Sequence, residues 1–169
     1  MGRLVSHPFA TTVSVYTRRT KLKDILAVAK DMRPADLAEV QAASGRSPKE
    51  VLLQCFFEGK PCMTICGEDD EPVGMWGVIP GGEMLGGVWM LATNGLTKSG
   101  ARQLSFLRQA RRYVDQMQEE YPVLANCVDA RNKVHIKWLR WMGFTFIAER
   151  PNYGAEGRMF LEFVRTSHV

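Results

Sequence analysis

A single α/β (α+β) domain, built on a mixed β-sheet with helices on both faces, is what this sequence predicts. Three observations carry the expectation. Residues 121–148 hold an apolar strand, a capped amphipathic helix and a second strand in close succession. Residues 96–121 repeat apolar side chains every three or four positions, the period of a long amphipathic helix. Residues 62–66 and 73–79 are strand-like segments on either side of an acidic loop, the pattern of a hairpin. A crossover through a helix joins parallel strands and a short loop joins antiparallel ones, so together they give a mixed sheet.

Taken in order, residues 1–10 read as a flexible N-terminal arm and residues 11–169 as the domain. The arm begins MGRLVS, which matches the short and unspecific N-myristoylation pattern. Residues 11–16 alternate β-branched side chains and read as a first strand. Arg18, Arg19, Lys21 and Lys23 follow, either as a solvated loop or as a partner-binding patch. Residues 23–32 place Ile25, Leu26, Val28 and Ala29 at helical spacing. Pro34 opens a second helix, with Leu37, Val40 and Ala43 on one face and Gly45 as its terminator. Ser47 caps a third, with Pro48 at its first position. Glu50 lies three residues past the cap, where each side chain can satisfy the other's backbone N–H. Val51, Leu52, Cys55 and Phe56 supply the buried face of that helix.

Residues 67–72 form the acidic loop, residues 80–83 turn the chain, and residues 88–92 (VWMLA) suit a central strand. On the long helix, Leu104, Leu107, Ala110, Val114, Met117 and Tyr121 form the expected apolar face. Val123, Leu124, Ala125, Cys127 and Val128 make a strand apolar enough to be buried on both sides. Asn132 caps the next helix, on which Val134, Trp138 and Trp141 follow at i, i+4, i+7, widened by Leu139 and Met142. The two tryptophans serve as core anchors or as aromatic ligand contacts. Gly143 ends the helix, because a left-handed residue there meets no Cβ clash. Phe144, Phe146 and Ile147 open another strand, residues 151–157 form a loop, and residues 159–164 form the last strand. That last strand is expected at an exposed sheet edge, able to pair with another chain.

The chain has 169 residues, of which 46% are hydrophobic and 24% charged, which suits one soluble globular domain. Its apolar runs are too short to cross a membrane, and residues 1–10 lack the apolar core of a signal peptide. Cys55, Cys62, Cys66 and Cys127 sit in apolar surroundings and read as reduced core residues. His7, His135 and His168 are remote from them in sequence, so no metal site is expected. The net charge of +4 is uneven: residues 61–97 contain no Lys or Arg, and the acids Glu68, Asp69, Asp70, Glu71 and Glu83 fall there. Basic and aromatic residues do not interleave as single-stranded nucleic acid would require, and nucleic acid is not an expected partner.

Chemistry has few candidates. Lys98, Arg102, Arg108, Arg111 and Arg112 crowd the first half of the long helix, while Asp115, Glu119 and Glu120 lie near its end. The helix macrodipole favours the opposite order. Two explanations stand: a phosphate site made by the helix start with Lys98 and Arg102, or a solvated face whose charges pair with the acidic segment. Gly95 and Gly100 stand alone, without a complete glycine-rich loop. Asp129 reads as a base or as part of the helix cap, and Cys127 as a nucleophile or as core. Tyr113, Tyr121 and Tyr153 can each supply an acid.

The strand, the long helix and then Asn132…Trp138–Leu139…Gly143–Phe144 resemble the GNAT acyltransferase superfamily, whose helix reads N-x-x-A-x-x-L-Y-x-x-x-G-F. More closely, MRPADLAEVQAASGRSP, EPVGMWGV and DARNKVHIKWLRWMGFTF resemble the short GNAT-like internal virion proteins of tailed podophages, over about residues 20–165. The superfamily implies a mostly antiparallel sheet and acetyl-CoA against the strand at Met90, Leu91 and Ala92. It places the pyrophosphate by Lys98, Ser99, Gly100 and Arg102, with Asn132 nearby. Two departures stand out. The R-x-x-G-x-G/A loop is replaced by Thr97-Lys98-Ser99-Gly100-Ala101-Arg102, and the tyrosine that often protonates the departing thiolate aligns with Leu139.

The closer resemblance implies a phage protein of virion morphogenesis or the internal virion core, present in the virion interior and the host cytoplasm. Its partners would be other virion proteins, and acetyl transfer would be lost or degenerate. The rival is an active acetyl-CoA-dependent N-acetyltransferase that modifies a host or phage protein. A third reading is a non-enzymatic adaptor that binds a host protein through the basic face.

Overall fold

The chain runs β1 (Tyr16–Arg19), α1 (Leu22–Lys30), α2 (Pro34–Ser44), α3 (Pro48–Glu58), β2 (Cys62–Cys66), β3 (Pro72–Pro80) and β4 (Leu85–Ala92). It continues through α4 (Gly100–Glu120), β5 (Val123–Asp129), α5 (Lys133–Trp141), β6 (Thr145–Tyr153) and β7 (Arg158–Thr166). This computed structural model describes residues 14–167. The N-terminal arm, residues 11–13 of the expected first strand, His7 and His168 lie outside the described residues. The strands form one sheet in the order β1-β2-β3-β4-β5-β7-β6, antiparallel at every pairing except β4–β5. The mixed, mostly antiparallel sheet is therefore present. Among the described residues, no helix is long and apolar enough to cross a membrane.

The local signals act as their chemistry requires. Ser47 Oγ accepts from Glu50 N at 3.3 Å while Glu50 Oε2 accepts from Ser47 N at 2.9 Å, so two orphan donors at the start of α3 are satisfied. Gly45 closes α2 with φ 66°, and Asn132 Oδ1 caps α5 by accepting from His135 N at 3.3 Å. Alternate residues of β3 and β4 point to opposite faces and so build two cores. Met75 and Leu91 pack with Ile25, Val28 and Leu52 on one side. Trp76, Val78 and Ala92 pack with Phe106, Ala110, Val114 and Met117 on the other.

Several expectations are corrected. The first strand is displaced to Tyr16–Arg19, so Arg18 and Arg19 are strand residues rather than a loop. Arg18 is not free for a partner: its guanidinium donates to Asp24 at 2.6 and 3.1 Å and to Asp70 at 2.6 and 3.0 Å. Burial alone would raise the Asp24 carboxyl, but hydrogen bonds from Arg18, the Lys21 backbone and Thr64 hold it below its usual range. On α4, Leu104 is exposed and Phe106 is buried in its place. On α5, Val134 (73% exposed) and Trp141 (43%) face outward, and Ile136 with Leu139 form the buried face. Trp141 is instead covered by Arg111, whose guanidinium lies 4.2 Å from the ring centroid.

The sheet edge is also corrected. β7 lies between β5 and β6, so the edge is β6, not the last strand. The turn between them folds onto the end of α2, where Ala155 N donates to Ala43 O at 3.3 Å and Glu156 N to Ala42 O at 3.1 Å. Gly154 permits this approach: its φ is 67°, and a Cβ there would meet Ala42 O at 2.4 Å. The docking brings Tyr153 and Phe160 to the wall of a cleft in the middle of the sheet.

Candidate functional site

The cleft exists because β4 and β5 part company. Their parallel pairing covers only Leu85↔Val123, Gly86↔Leu124 and Gly87↔Ala125. β5 then stays with β7 as far as Asp129↔Phe160, while β4 stays with β3 as far as Ala92↔Gly74. A cavity of about 200 Å³ opens between them. Because it perforates the sheet, its walls come from both cores: Val40 and Trp89 from one, Trp76, Phe106 and Leu139 from the other.

The free edge of β4 is largely used by the chain itself. Alternate residues of an antiparallel strand turn both backbone groups to the same neighbour. Thr93 N donates to Val73 O on β3, so Val88, Met90 and Ala92 face the cleft. Asn126 Nδ2 donates to Val88 O at 2.8 Å, a side-chain rung across the gap. Ala92 N donates to Asp36 Oδ2 at 2.8 Å, and Ala92 O accepts from Arg33 N at 2.9 Å. Met32 and Thr93 form an antiparallel bridge beside them. Asp36 is buried and grips Arg33 through Nε at 3.1 Å and Nη2 at 2.9 Å. Burial raises its carboxyl by more than the Arg33 charge lowers it. Of the three strand residues singled out in sequence, Met90 alone presents backbone groups to the cleft that no other described residue takes; Leu91 faces β3.

At the start of α4 the expected cationic cluster is divided. Lys98, Ser99 and Gly100 are exposed, and Ser99 Oγ caps the helix by accepting from Arg102 N at 3.2 Å. The Arg102 side chain is buried and turned back: Nη1 donates to Gly95 O at 2.9 Å and to Glu71 Oε2 at 3.2 Å. Its guanidinium lies against Gly67, where a Cβ would come within 3.0 Å of Cζ. Arg102 thus pairs with the acidic segment, one of the two arrangements its position allowed.

The candidates on β5 and α5 lie close together. Asp129 accepts from Arg131 N at 2.8 Å and pairs with the Arg131 guanidinium at 3.0 and 2.5 Å. Burial opposes the Asp129 charge, yet these bonds hold its carboxyl below the usual range, so it shapes the turn before α5. Cys127 lines the cavity half-buried; burial pushes its thiol up, against a smaller pull from Tyr153. Leu139 is buried on the cavity wall and carries no proton donor, whereas Tyr113 donates its hydroxyl to Gln109 Oε1 at 2.6 Å. Among the described residues, no group of three or more His, Cys, Asp or Glu side chains could hold a metal ion.

Glu39 went unnoticed in the sequence, and His135 was weighed there only as a metal ligand. Glu39 Oε2 accepts from Asn132 Nδ2 at 3.0 Å and from Asp129 N at 3.4 Å, tying α2 to the start of α5. Burial, with repulsion from Asp36 and Asp129, outweighs the Asn132 bond and pushes Glu39 up to about 7. Burial and the Arg33 charge push His135 down to about 4, so it is neutral at physiological pH. The available signal was on α2: Asp36, Glu39, Val40 and Ala43 fall at i, i+3, i+4, i+7, which sets two acids on an apolar stripe.

This architecture is that of known acetyltransferases. The chain is similar to Ard1 from Thermoplasma volcanium at 16% identity, over 93% of this chain and 100% of that one, with a TM-score of 0.69. It is similar to YncA, a putative acetyltransferase from Salmonella typhimurium solved with its cofactor acetyl-CoA, at 14% identity over 90% and 94% of the two chains, TM-score 0.68. A GCN5-related N-acetyltransferase from Kribbella flavida matches at 14% identity over 91% and 98%, TM-score 0.66. At such identities the likeness is one of fold, and the fold is the GNAT fold. Residues 75–150 match the model of a phage family described as bacteriophage T7, probable scaffold protein Gp13. No curated protein matches the chain.

Proposed function

We propose that this is a phage protein that carries the GNAT fold into virion morphogenesis or the internal virion core, with acetyl transfer lost or degenerate. The observation that carries this reading is the edge of β4, satisfied by the chain itself on both sides of Met90. Val88 O is taken by Asn126, and both backbone groups of Ala92 are taken by Asp36 and Arg33. Acetyl-CoA held against this strand would have to displace buried hydrogen bonds, one of them to a carboxylate, before forming its own. Its pyrophosphate would meet Lys98 and the helix start, but not Arg102, which is engaged with Glu71. The residues present therefore fit the coenzyme poorly. The match to a family described as probable scaffold protein supports virion proteins as partners and a place in the virion interior; passage through the host cytoplasm belongs to the proposal alone.

Glu39, a carboxyl near 7 on the cavity wall, favours the rival of an active N-acetyltransferase acting on a host or phage protein. Calorimetric titration separates the two readings. Acetyl-CoA at concentrations up to the order of 1 mM should give no binding heat, and a dissociation constant in the micromolar range, about −8 kcal/mol, would overturn the loss of cofactor binding. Purified phage particles should contain the chain by mass spectrometry. Its absence from them would reject the virion role.

A further inference from the structure

The outer face of α4 and α5 carries charge that the described chain does not answer. Both helices pack on the same side of the sheet, through Phe106 and Ala110 on one and Ile136 and Leu139 on the other. Their solvent sides expose Arg108, Arg111 and Arg112 on α4, and Lys133, Lys137 and Arg140 on α5. None of the six takes part in an ion pair among the described residues, whereas Arg102 and Arg131 are each held by a carboxylate. Residues 98–114 and 130–148 contain no Asp or Glu at all. The helices across the sheet differ: α1, α2 and α3 each have an acid in the first turn, and α4 and α5 have none. Like charges this close repel one another, and Lys133 also opposes the macrodipole of α5.

The geometry arranges these cations in two rows. β4 and β5 are parallel and each is followed by its helix, so α4 and α5 run side by side in one direction. Packed neighbouring helices lie roughly 10 Å apart. Arg111 joins the rows: its guanidinium lies 4.2 Å from the Trp141 ring centroid, and its Nε donates to Trp141 O at 3.2 Å. Rows of like charge suit a partner with rows of the opposite sign. Duplex DNA carries one phosphate charge per about 1.7 Å of its axis, and the planar fork of arginine matches phosphate oxygens. Its two backbones face each other across a major groove about 12 Å wide, close to the spacing of the rows, whereas the major groove of duplex RNA is deep and narrow. Leu104 and Val134 are the large apolar side chains exposed beside the cations, and Arg111 covers Trp141, so the face lacks the apolar centre of a protein–protein interface. Interleaved aromatic residues are a requirement of single strands, whose bases are bare, and not of a duplex. We propose that the α4–α5 face binds the phosphate backbone of duplex DNA without regard to base sequence. The surface is separate from the coenzyme cleft, since none of the six cations lines it.

The test is fluorescence anisotropy of labelled DNA duplexes of about 20 base pairs, titrated with the full chain. Two duplexes of unrelated sequence should bind alike, with a dissociation constant on the order of 10 µM at about 50 mM salt. The logarithm of affinity should fall with the logarithm of salt concentration at a slope of about −3 to −5, as four or five phosphates exchange counterions for side chains. Arg108→Gln and Lys137→Gln, both at exposed positions, should each lower the slope by about one and weaken binding about five- to tenfold near 0.1 M salt. Lys49→Gln, on the opposite side of the sheet, should change neither. No binding at about 100 µM chain and 50 mM salt would overturn the proposal, and so would an equal loss in Lys49→Gln. Displacement of the duplex by polyglutamate at equal charge concentration would assign the face to an acidic protein instead. Equal affinity for a duplex RNA of the same length would reject the groove match. The unmodified chain alone decides three of these outcomes, so none of the three depends on a variant folding.

Discussion

Asp36→Ala is expected to destabilise the protein by about 2–4 kcal/mol, and urea denaturation should register it as a lower midpoint with an unchanged slope. The carboxylate is 2% exposed and joins two groups, the Arg33 guanidinium and the Ala92 N–H, so tying α2 to the end of β4. Alanine would leave the Ala92 N–H and most of a guanidinium buried without partners, which is the expensive way to break a buried pair. The Arg33 side chain is 21% exposed, so water recovers part of the loss and the estimate stays below that for a fully buried pair. Asp36→Asn keeps an acceptor for Ala92 N and should lose roughly half as much. A loss under about 1 kcal/mol for alanine would mean that the contact does not hold the β4 edge closed.

Glu39→Gln should do the reverse at neutral and alkaline pH. The carboxyl is raised from 4.5 to about 7 in the folded chain, chiefly by burial. Below pH 4.5 it is protonated whether the chain is folded or not. Between 4.5 and about 7 the unfolded chain gives up the proton while the folded chain keeps it, so stability falls as pH rises through that window. Above it the full penalty, on the order of 2–3 kcal/mol, is in force. Glutamine does not titrate, and its one amide oxygen can accept both bonds that now converge on Oε2, from Asn132 and Asp129. The variant should therefore match the parent near pH 4.5 and exceed it by about 2–3 kcal/mol at pH 8. Asp36 and Asp129 face the same group, and the slope that survives the substitution combines their contributions with that of His135, whose lowered value makes stability rise with pH between about 4 and 6.5. Identical pH–stability curves for parent and variant would rule out a raised Glu39.

Much of the fold was legible because it is written in short-range chemistry. The Ser47–Glu50 reciprocal cap, Gly45 at a left-handed position, and Asn132 before α5 depend on residues a few positions apart. The candidate site was less legible. Met90, Ala92, Asn132 and Leu139 were singled out through the resemblance to the GNAT superfamily, and Cys127 as a nucleophile or core residue. What those residues do was not written beside them. The backbone of Ala92 is engaged by Asp36, fifty-six positions away, and Arg102 by Glu71, thirty-one away.

By itself the sequence determined most of the elements and caps, the hairpin and the parallel crossover, hence a mixed sheet with helices on both faces. It did not determine the bounds of the first strand or of β6. Periodicity and capping are local, and burial acts on them in the same direction. Tertiary structure alone decided the phase of the helices, the edge of the sheet and the state of the acids. α4 and α5 carry apolar residues on more than one face, and only neighbours choose Phe106 over Leu104, or Ile136 over Trp141. Whether β6 or β7 lies at the edge depends on which strand reaches β5. A carboxylate on an apolar stripe is a fault or a device according to what meets it, and the partners of Asp24, Asp36 and Glu39 arrive from distant parts of the chain.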